Sequence, residues 1–207
     1  MATESRPRGR PRGFDPEQAV ATAQKLFHAR GYDAVSVADV TAALGINPPS
    51  FYAAFGNKAG LYSRVLTRWA DTGAIPLADI LRPDRPVAVS LAALLEEAAR
   101  RYAADPATAG CLVLEGTRCN DGEARDAALA CSLAAEAVIR HYVACRHPDD
   151  AERVTNFVST TMCGMSAMAR SGHDQEQLLA TARLAGLALA QALPEQSATD
   201  QPSDRTG

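Results

Sequence analysis

Sulfur-bearing side chains on one predicted helix are the first groups in this sequence that could do chemistry. Met162, Met165 and Met168 recur every third residue, and Cys163 stands beside the first of them. Thioethers and thiolates are ligands that Cu(I) prefers, so this face could hold a soft metal. The alternative is a flexible apolar face that lines the core or a ligand cavity.

A further cysteine opens a short apolar segment. Cys111 follows a glycine, and a thiol at a helix N-terminus can have a lowered pKa, which favours oxidation or reaction with electrophiles. The alternative is a buried small side chain. Glu115 and Arg118 either pair with each other or supply the polar contacts of an otherwise apolar pocket. The predicted ligand pocket contains Cys111, Glu115, Arg118, Met162 and Met165.

The sequence lacks the patterns of the common enzyme classes. It shows no Ser/His/Asp set, no glycine-rich phosphate loop and no paired carboxylates, and its four histidines are scattered. A helical enzyme is the weaker alternative, and no cofactor, metal or catalytic residue is expected. Five cysteines without C-x-x-C spacing, and no uninterrupted apolar run near the roughly 18 residues of a membrane span, predict a cytoplasmic protein.

Charge is unevenly distributed along the 207 residues. Residues 1–70 hold nine Lys and Arg against five Asp and Glu, whereas residues 71–207 hold 12 against 19. A basic N-terminal third on an acidic chain predicts a head that binds a polyanion. Four of the cations lie in residues 1–13, a flexible arm rich in Pro and Gly. Within this arm, Arg10 and Arg12 are expected to contact the polyanion, either in a DNA minor groove or as a phosphate tether.

Composition and periodicity predict an all-α protein of about nine helices. Aromatic residues make up 5% of the chain, and Ala and Leu are prominent, which favours helices over strands. Asp15 begins the first helix and Gly31 ends it; Ser36 begins a second helix, which Gly45 ends. A third helix runs over 48–55, longer helices follow to about residue 193, and residues 194–207 are predicted to be disordered.

The second and third helices form a helix-turn-helix arrangement over about residues 36–55. In such a motif the second helix presents its N-terminal residues to base edges in the major groove of DNA. The exposed positions here are Asn47, Pro48, Ser50 and Tyr52, whose small polar groups and phenol suit contacts with phosphates and bases.

This region resembles the signature of the TetR family of transcriptional regulators, since several fixed spacings agree at once in SVADV (36–40) and LGINPPSFYAAFGNK (44–58). Phe27 and Gly31 match the end of the family's first helix, and the resemblance covers about residues 10–66. It implies a DNA-binding head over 14–70 and an all-helical body over 71–193 that binds a ligand and dimerises.

The resemblance also assigns roles to single residues. Phosphate contacts would come from Ser36, Tyr52 and Lys58. The bases would be faced by Asn47, Pro48 and Ser50. In the family the two positions after the tyrosine often carry His, Trp or Tyr; here they are Ala53 and Ala54, which removes phosphate contacts.

The last two predicted helices carry small residues at helical spacing, which would allow another helix to approach closely. These are Gly164 and Ala167 on one helix, and Ala182, Gly186 and Ala190 on the other. The resemblance implies that both helices pair with those of a second subunit in a four-helix bundle. A two-fold dimer also fits a palindromic operator whose half-sites lie about 34 Å apart.

These features together predict a homodimeric TetR-like regulator that a small-molecule effector releases from double-stranded operator DNA. Regulators of this family are most often repressors. The alternative is a regulator that responds to thiol oxidation or to a soft metal. Its sensor would be Cys111 or the face formed by Met162, Cys163 and Met165.

Overall fold

The computed structural model describes residues 15–194, which form helices and no β-strand. The predicted all-α class is confirmed. Most of the predicted arm and tail lies outside these residues. Ten α-helices follow one another in the described part: α1 (Pro16–Arg30), α2 (Val37–Leu44), α3 (Pro48–Phe55), α4 (Lys58–Thr72), α5 (Leu77–Ile80), α6 (Val87–Tyr102), α7 (Leu112–Gly116), α8 (Gly122–Ala144), α9 (Ala151–Arg170) and α10 (Gln175–Ala192). Nine correspond to the predicted helices, and α5 is one additional turn.

Side chains just before the N-terminal helices explain where these helices begin. The Asp15 carboxylate accepts the Glu17 N–H at 3.0 Å. Ser36 and Asp39 form a reciprocal capping box at the start of α2, and the Asn57 side chain accepts the N–H of Gly60. Each cap satisfies a backbone donor that the first turn of a helix leaves without a partner.

The described residues form two compact units. The first contains the residues up to Ala74 together with Leu112–Cys131, and the second contains Ile75–Cys111 and the residues from Ser132 onward. Helix α7 and the first part of α8 therefore belong to the unit that carries the helix-turn-helix. The predicted contiguous domains, 14–70 and 71–193, do not coincide with these units.

Aromatic side chains join the elements of the first unit. Tyr32 stacks on Phe27 of α1 with ring centroids 5.6 Å apart, and it meets Tyr62 of α4 in an edge-to-face arrangement with centroids 4.9 Å apart. All three rings are buried. The Tyr62 hydroxyl donates to the carbonyl of Leu112 at 3.2 Å, so the same cluster also holds the start of α7. Gly116 of α7 lies directly over this hydroxyl.

Helix α6 packs against α9 and α10 in the second unit. On α10, Ala182 is fully buried, and a Cβ added to Gly186 would lie 3.1 Å from the Cβ of Ala92 on α6. The small residues of α10 thus allow α10 to approach α6 closely within one chain. This corrects the prediction that Ala182 and Gly186 lie on a surface for a second subunit, because their face of the helix is already occupied.

Helix α8 is long and apolar enough, by length and composition alone, to cross a membrane. Glu136 and Arg140 interrupt its apolar stretch, and a charged residue at the centre of a bilayer costs about 3 kcal/mol on insertion scales. The sequence-based expectation concerned an uninterrupted apolar run, which α8 does not contain.

Replacing Gly116 by alanine tests the packing of α7. An added Cβ would overlap the Tyr62 hydroxyl and lie 2.9 Å from the Cβ of Ala128. Overpacking of this kind should lower the free energy of unfolding by about 1–3 kcal/mol, measured by urea denaturation. The control is Gly122→Ala, whose Cβ would meet only Arg125 at 3.7 Å. Equal stability of the two variants would contradict the packing described for α7.

Candidate functional site

The turn between α2 and α3 is fixed by a left-handed glycine. Gly45 has φ +64° and ψ +32°, a conformation that other residues adopt only at a cost. The Ile46 N–H donates to the carbonyl of Thr41 at 3.1 Å, so the end of α2 is closed by its own backbone. The two helices of the motif therefore keep a defined angle.

Helix α3 is anchored from below and capped at its start. Phe51 and Phe55 are buried in the core of the first unit. The Asn47 side-chain oxygen accepts the Ser50 N–H at 2.9 Å, which leaves the NH2 group of this amide to donate elsewhere. Tyr52 is 52% exposed, with its ring edge-on to Phe51 at 5.3 Å.

The positions predicted to face outward on this motif are exposed. They are Asn47, Pro48, Ser50 and Tyr52. Ala53 is also exposed, whereas Ala54 packs partly against the core. The predicted orientation of α3 is confirmed, and its outer face is polar but carries no charge.

The Ser36 side chain is engaged in the capping box of α2. Its hydroxyl donates to Asp39 and accepts the Asp39 N–H at 3.1 Å. Arg30 contributes an ion pair to the same carboxylate at 3.2 Å. The hydrogen bonds from Ser36, followed by Arg30, lower the pKa of Asp39 to about 2. Because the Ser36 hydroxyl is engaged in this way, the groups best suited to bind an anion here are the first backbone N–H groups of α2.

Lys58 has internal partners. Its ammonium donates to the carbonyls of Tyr32 at 3.1 Å and Val35 at 3.0 Å, and it lies 3.9 Å from the centroid of the Tyr32 ring. Two of its three N–H donors are thus used to hold the loop before α2. The family resemblance implies that Lys58 contacts a phosphate. Its internal hydrogen bonds leave one N–H donor for that contact.

The described part of the head is electrically balanced. Residues 15–74 contain five Lys and Arg and five Asp and Glu, so their formal charge is zero. Of the net charge of +4 that residues 1–70 carry, +3 lies in residues 1–14. Arg10 and Arg12, predicted to contact a polyanion, belong to this segment and lie outside the described residues.

Cys111 is held against α9 in the second unit. Its backbone N–H donates to the buried Ser166 hydroxyl at 2.9 Å, and the preceding Gly110, at φ +81°, donates to the carbonyl of Tyr102 at 2.8 Å. Burial raises the pKa of Tyr102 well above its usual value, and the nearby thiols of Cys111 and Cys163 raise it further. The Tyr102 hydroxyl is also hydrogen-bonded to Cys111.

The other predicted pocket residues are divided between the units. Glu115 and Arg118 form an ion pair at 3.2 Å in the first unit. Met165 is buried in the second unit, Met162 is half-buried and Cys163 is exposed, so these sulfur atoms lie in different environments. In the part of the chain that the structure describes, no three His, Cys, Asp or Glu side chains are grouped to hold a metal ion.

The outer faces of α9 and α10 expose large apolar side chains, here called the α9–α10 surface: Phe157, Met168, Leu184 and Leu187. Both leucines are 70% exposed. Two grooves lie between these helices, one of about 270 Å³ beside Gly164 and Met168 and one of about 210 Å³ beside Phe157. Of the small residues predicted to meet a partner, Gly164 and Ala190 are exposed and Ala167 is half-buried.

Leu184 and Leu187 are not among the residues predicted from the sequence to meet a partner. The signal was present: the buried positions of α10 recur as Leu178, Ala182, Ala185 and Leu189, and both leucines lie off this face. An amphipathic helix has one apolar face, so a second row of leucines indicates a second contact.

Comparisons with known proteins agree with this geometry. The sequence profile of the family described as "Bacterial regulatory proteins, tetR family" matches residues 19–65. The HTH-type transcriptional repressor BdcR of Escherichia coli (strain K12) is 58% identical over 192 residues, which is 93% of this chain and 98% of the relative. The HTH-type transcriptional repressor ComR of the same organism is 29% identical over 195 residues, 86% of this chain and 93% of the relative.

A solved structure shows the same fold. It is a cysteine mutant of the TetR family transcriptional regulator CifR complexed with a 26-bp double-strand operator DNA. It is 32% identical to this chain, covers 86% of it and 99% of its own length, and superposes with a TM-score of 0.77.

Proposed function

This chain belongs to the TetR family of bacterial regulatory proteins, and we propose that it is a cytoplasmic homodimeric repressor that binds operator DNA through α2 and α3. The observation that carries this proposal is the outer face of α3, which is rigid, polar and uncharged. Two buried phenylalanines anchor the helix to the core, so the positions from which its exposed side chains project are set by the fold. Rigid presentation of polar groups suits the major groove.

Different side chains at α3 contact the bases and the phosphates. Asn47, Pro48 and Ser50 face the base edges, where the Asn47 NH2 group and the Ser50 hydroxyl read donors and acceptors. Tyr52 donates its hydroxyl to a backbone phosphate, which fixes the register of the motif on the duplex. The backbone N–H groups at the start of α2, beside Ser36, and the remaining donor of Lys58 add phosphate contacts.

Electrostatic attraction to DNA comes from the arm. The described head has no net charge, and most of the affinity of a protein for the DNA backbone comes from the cations that neutralise phosphates. The arm supplies Arg6, Arg8, Arg10 and Arg12 at alternate positions. A narrow segment of this kind fits a minor groove, where guanidinium groups meet a strong negative potential.

Deleting residues 1–12 tests this division. We expect weaker binding to duplex DNA and a flatter dependence of log Kd on log salt, by up to about 7 when four arginines from each of two subunits meet phosphates. Fluorescence anisotropy at several salt concentrations measures both quantities. The matched variant is Tyr52→Phe, which removes a neutral hydroxyl: it should weaken binding but keep the slope. An unaltered slope after the deletion would show that the arm does not contact DNA.

The second copy of this chain covers the α9–α10 surface. Isolated exposed leucines are ordinary, but four large apolar side chains exposed on two helices that pack together favour an interface. A two-fold axis through this surface pairs each α9–α10 hairpin with its copy, so that the leucines of one subunit lie against the grooves of the other.

Leu184→Asp places a charge in this proposed interface. We expect it to shift the protein from dimer to monomer in light scattering coupled to gel filtration, because an unpaired buried charge opposes association. The control is Leu133→Asp, where the leucine is 59% exposed and belongs to α8 rather than to α9 or α10. A dimer that persists with Leu184→Asp, or one that both variants disrupt equally, would contradict this interface.

Release from DNA follows from a difference in affinity between two shapes of the dimer. A small molecule that binds the second unit favours a shape whose recognition helices do not match the half-sites, and a coupling of about 1–3 kcal/mol changes the operator affinity about 5–150-fold.

Thiol chemistry at Cys111 is the second candidate for this signal. It is favoured by the hydrogen bond between Cys111 and the buried Tyr102 hydroxyl, because oxidation of the sulfur would disturb a packed site. The position of Cys111 one residue before the boundary of the first unit lets such a disturbance reach α7 directly along the chain.

Cys111→Ser separates the two candidates. If the thiol is the sensor, hydrogen peroxide should release DNA from the unsubstituted chain and from Cys145→Ser, which alters an exposed thiol on the surface, but not from Cys111→Ser. Gel-shift titration with peroxide measures this. Equal release from all three proteins, or release from none, would eliminate Cys111 as the sensor and leave the non-covalent effector.

A further inference from the structure

The loop before α2 is bound by a turn that comes far later in the sequence. The Asp33 carboxylate accepts the backbone N–H of Asn120 at 3.0 Å and its side-chain NH2 group at 3.0 Å. The neighbouring Tyr32 hydroxyl donates to Asp121 at 2.9 Å. Two adjacent residues of the loop are therefore paired with two adjacent residues of the turn, all within the first unit.

We propose that Asn120 and Asp121 are positioning residues of the DNA-binding head, which hold the loop before α2 through Asp33 and Tyr32 and so set the pose of the helix-turn-helix for specific recognition. This inference rests on the proposed DNA-binding function. Both residues act on DNA through the loop that their hydrogen bonds hold.

The loop transmits the position of this turn to the motif. Tyr32 is only 3% exposed, and its ring contacts both Phe27 and the ammonium of Lys58. The ammonium of Lys58 is held by the same loop, because it donates hydrogen bonds to the carbonyls of Tyr32 and Val35. Helix α2 begins two residues after Val35, so displacement of the loop displaces both the start of α2 and the start of α4.

The turn is joined to the helix that follows it. The second oxygen of Asp121 accepts the Ala124 N–H at 3.1 Å and so caps α8. Glu123, in the first turn of α8, accepts a hydrogen bond from the Asn57 side chain at 3.2 Å, which adds a further link to the head. The hydrogen bonds from Ala124 and Tyr32 lower the pKa of Asp121, so this carboxylate is charged when it holds the loop.

The test uses Tyr32→Phe and Asn120→Ala, which remove hydrogen bonds but keep the ring packing and the cap of α8. The probe is a duplex that the unsubstituted full-length chain selects from a randomised DNA pool, with an unselected duplex of equal length beside it. We expect each variant to bind the selected duplex roughly five- to tenfold more weakly. Binding to the unselected duplex and the salt slope should not change, because no phosphate contact is lost.

Tyr142→Phe is the matched control. Its hydroxyl donates to the carbonyl of Arg82 at 2.8 Å in the second unit, so it loses a comparable hydrogen bond away from the head. It should bind the selected duplex as the unsubstituted chain does, even where its melting temperature falls as much as that of Tyr32→Phe.

Other outcomes overturn the inference in distinguishable ways. Undiminished affinity of Tyr32→Phe and Asn120→Ala for the selected duplex removes the positioning role and leaves the proposed function intact. A parallel loss of affinity for both duplexes, or an equal loss of affinity with Tyr142→Phe, would show that these contacts contribute only to the stability of the fold. An unsubstituted chain that selects no duplex overturns the proposed function and, with it, this inference.

Discussion

The buried ring of Tyr32 is the contact on which the DNA-binding head depends. It stacks on Phe27 of α1, meets the edge of Tyr62 of α4 and lies beneath the ammonium of Lys58. Aromatic pairs and a cation over a ring each favour one geometry over its neighbours. These contacts therefore fix the position of the loop before α2 relative to α1 and α4. The glycine turn between α2 and α3 then fixes the position of α3.

Charge and shape are separated in this protein. The folded head offers a neutral, rigid surface whose polar groups suit base edges, while four arginines stand in the segment before α1. A head without net charge discriminates by fit, because it gains little from phosphates that every sequence shares. In the proposed function the arm supplies attraction and α3 supplies specificity, and the arginines of the arm would compensate for the phosphate contacts that Ala53 and Ala54 do not make.

The sequence alone allowed the helices of the head to be predicted well, because their limits are set locally. Asp15, Ser36, Asn47 and Asn57 each cap the helix that follows them, and caps are read from neighbouring residues. Contacts between distant segments could not be predicted in this way. Nothing in the local pattern indicates that Asp33 pairs with Asn120, or that Lys58 turns inward to two carbonyls.

The small residues of α10 also show that a contact between distant segments cannot be predicted from local sequence. Their spacing correctly indicated that a helix approaches closely, but spacing does not say which helix, and within the chain that helix is α6. The exposed leucines 184 and 187 became visible as a separate face only when the buried face had been placed. Periodicity identifies faces, and tertiary structure assigns their partners.

Selection of duplex DNA from a randomised pool by the full-length chain tests the central claim most directly. We expect enrichment of an inverted repeat that is bound by two copies of the chain, with half-site centres about one helical turn (34 Å), or a multiple of it, apart. A folded, dimeric protein that enriches no sequence, or that enriches a site without two-fold symmetry, would contradict it.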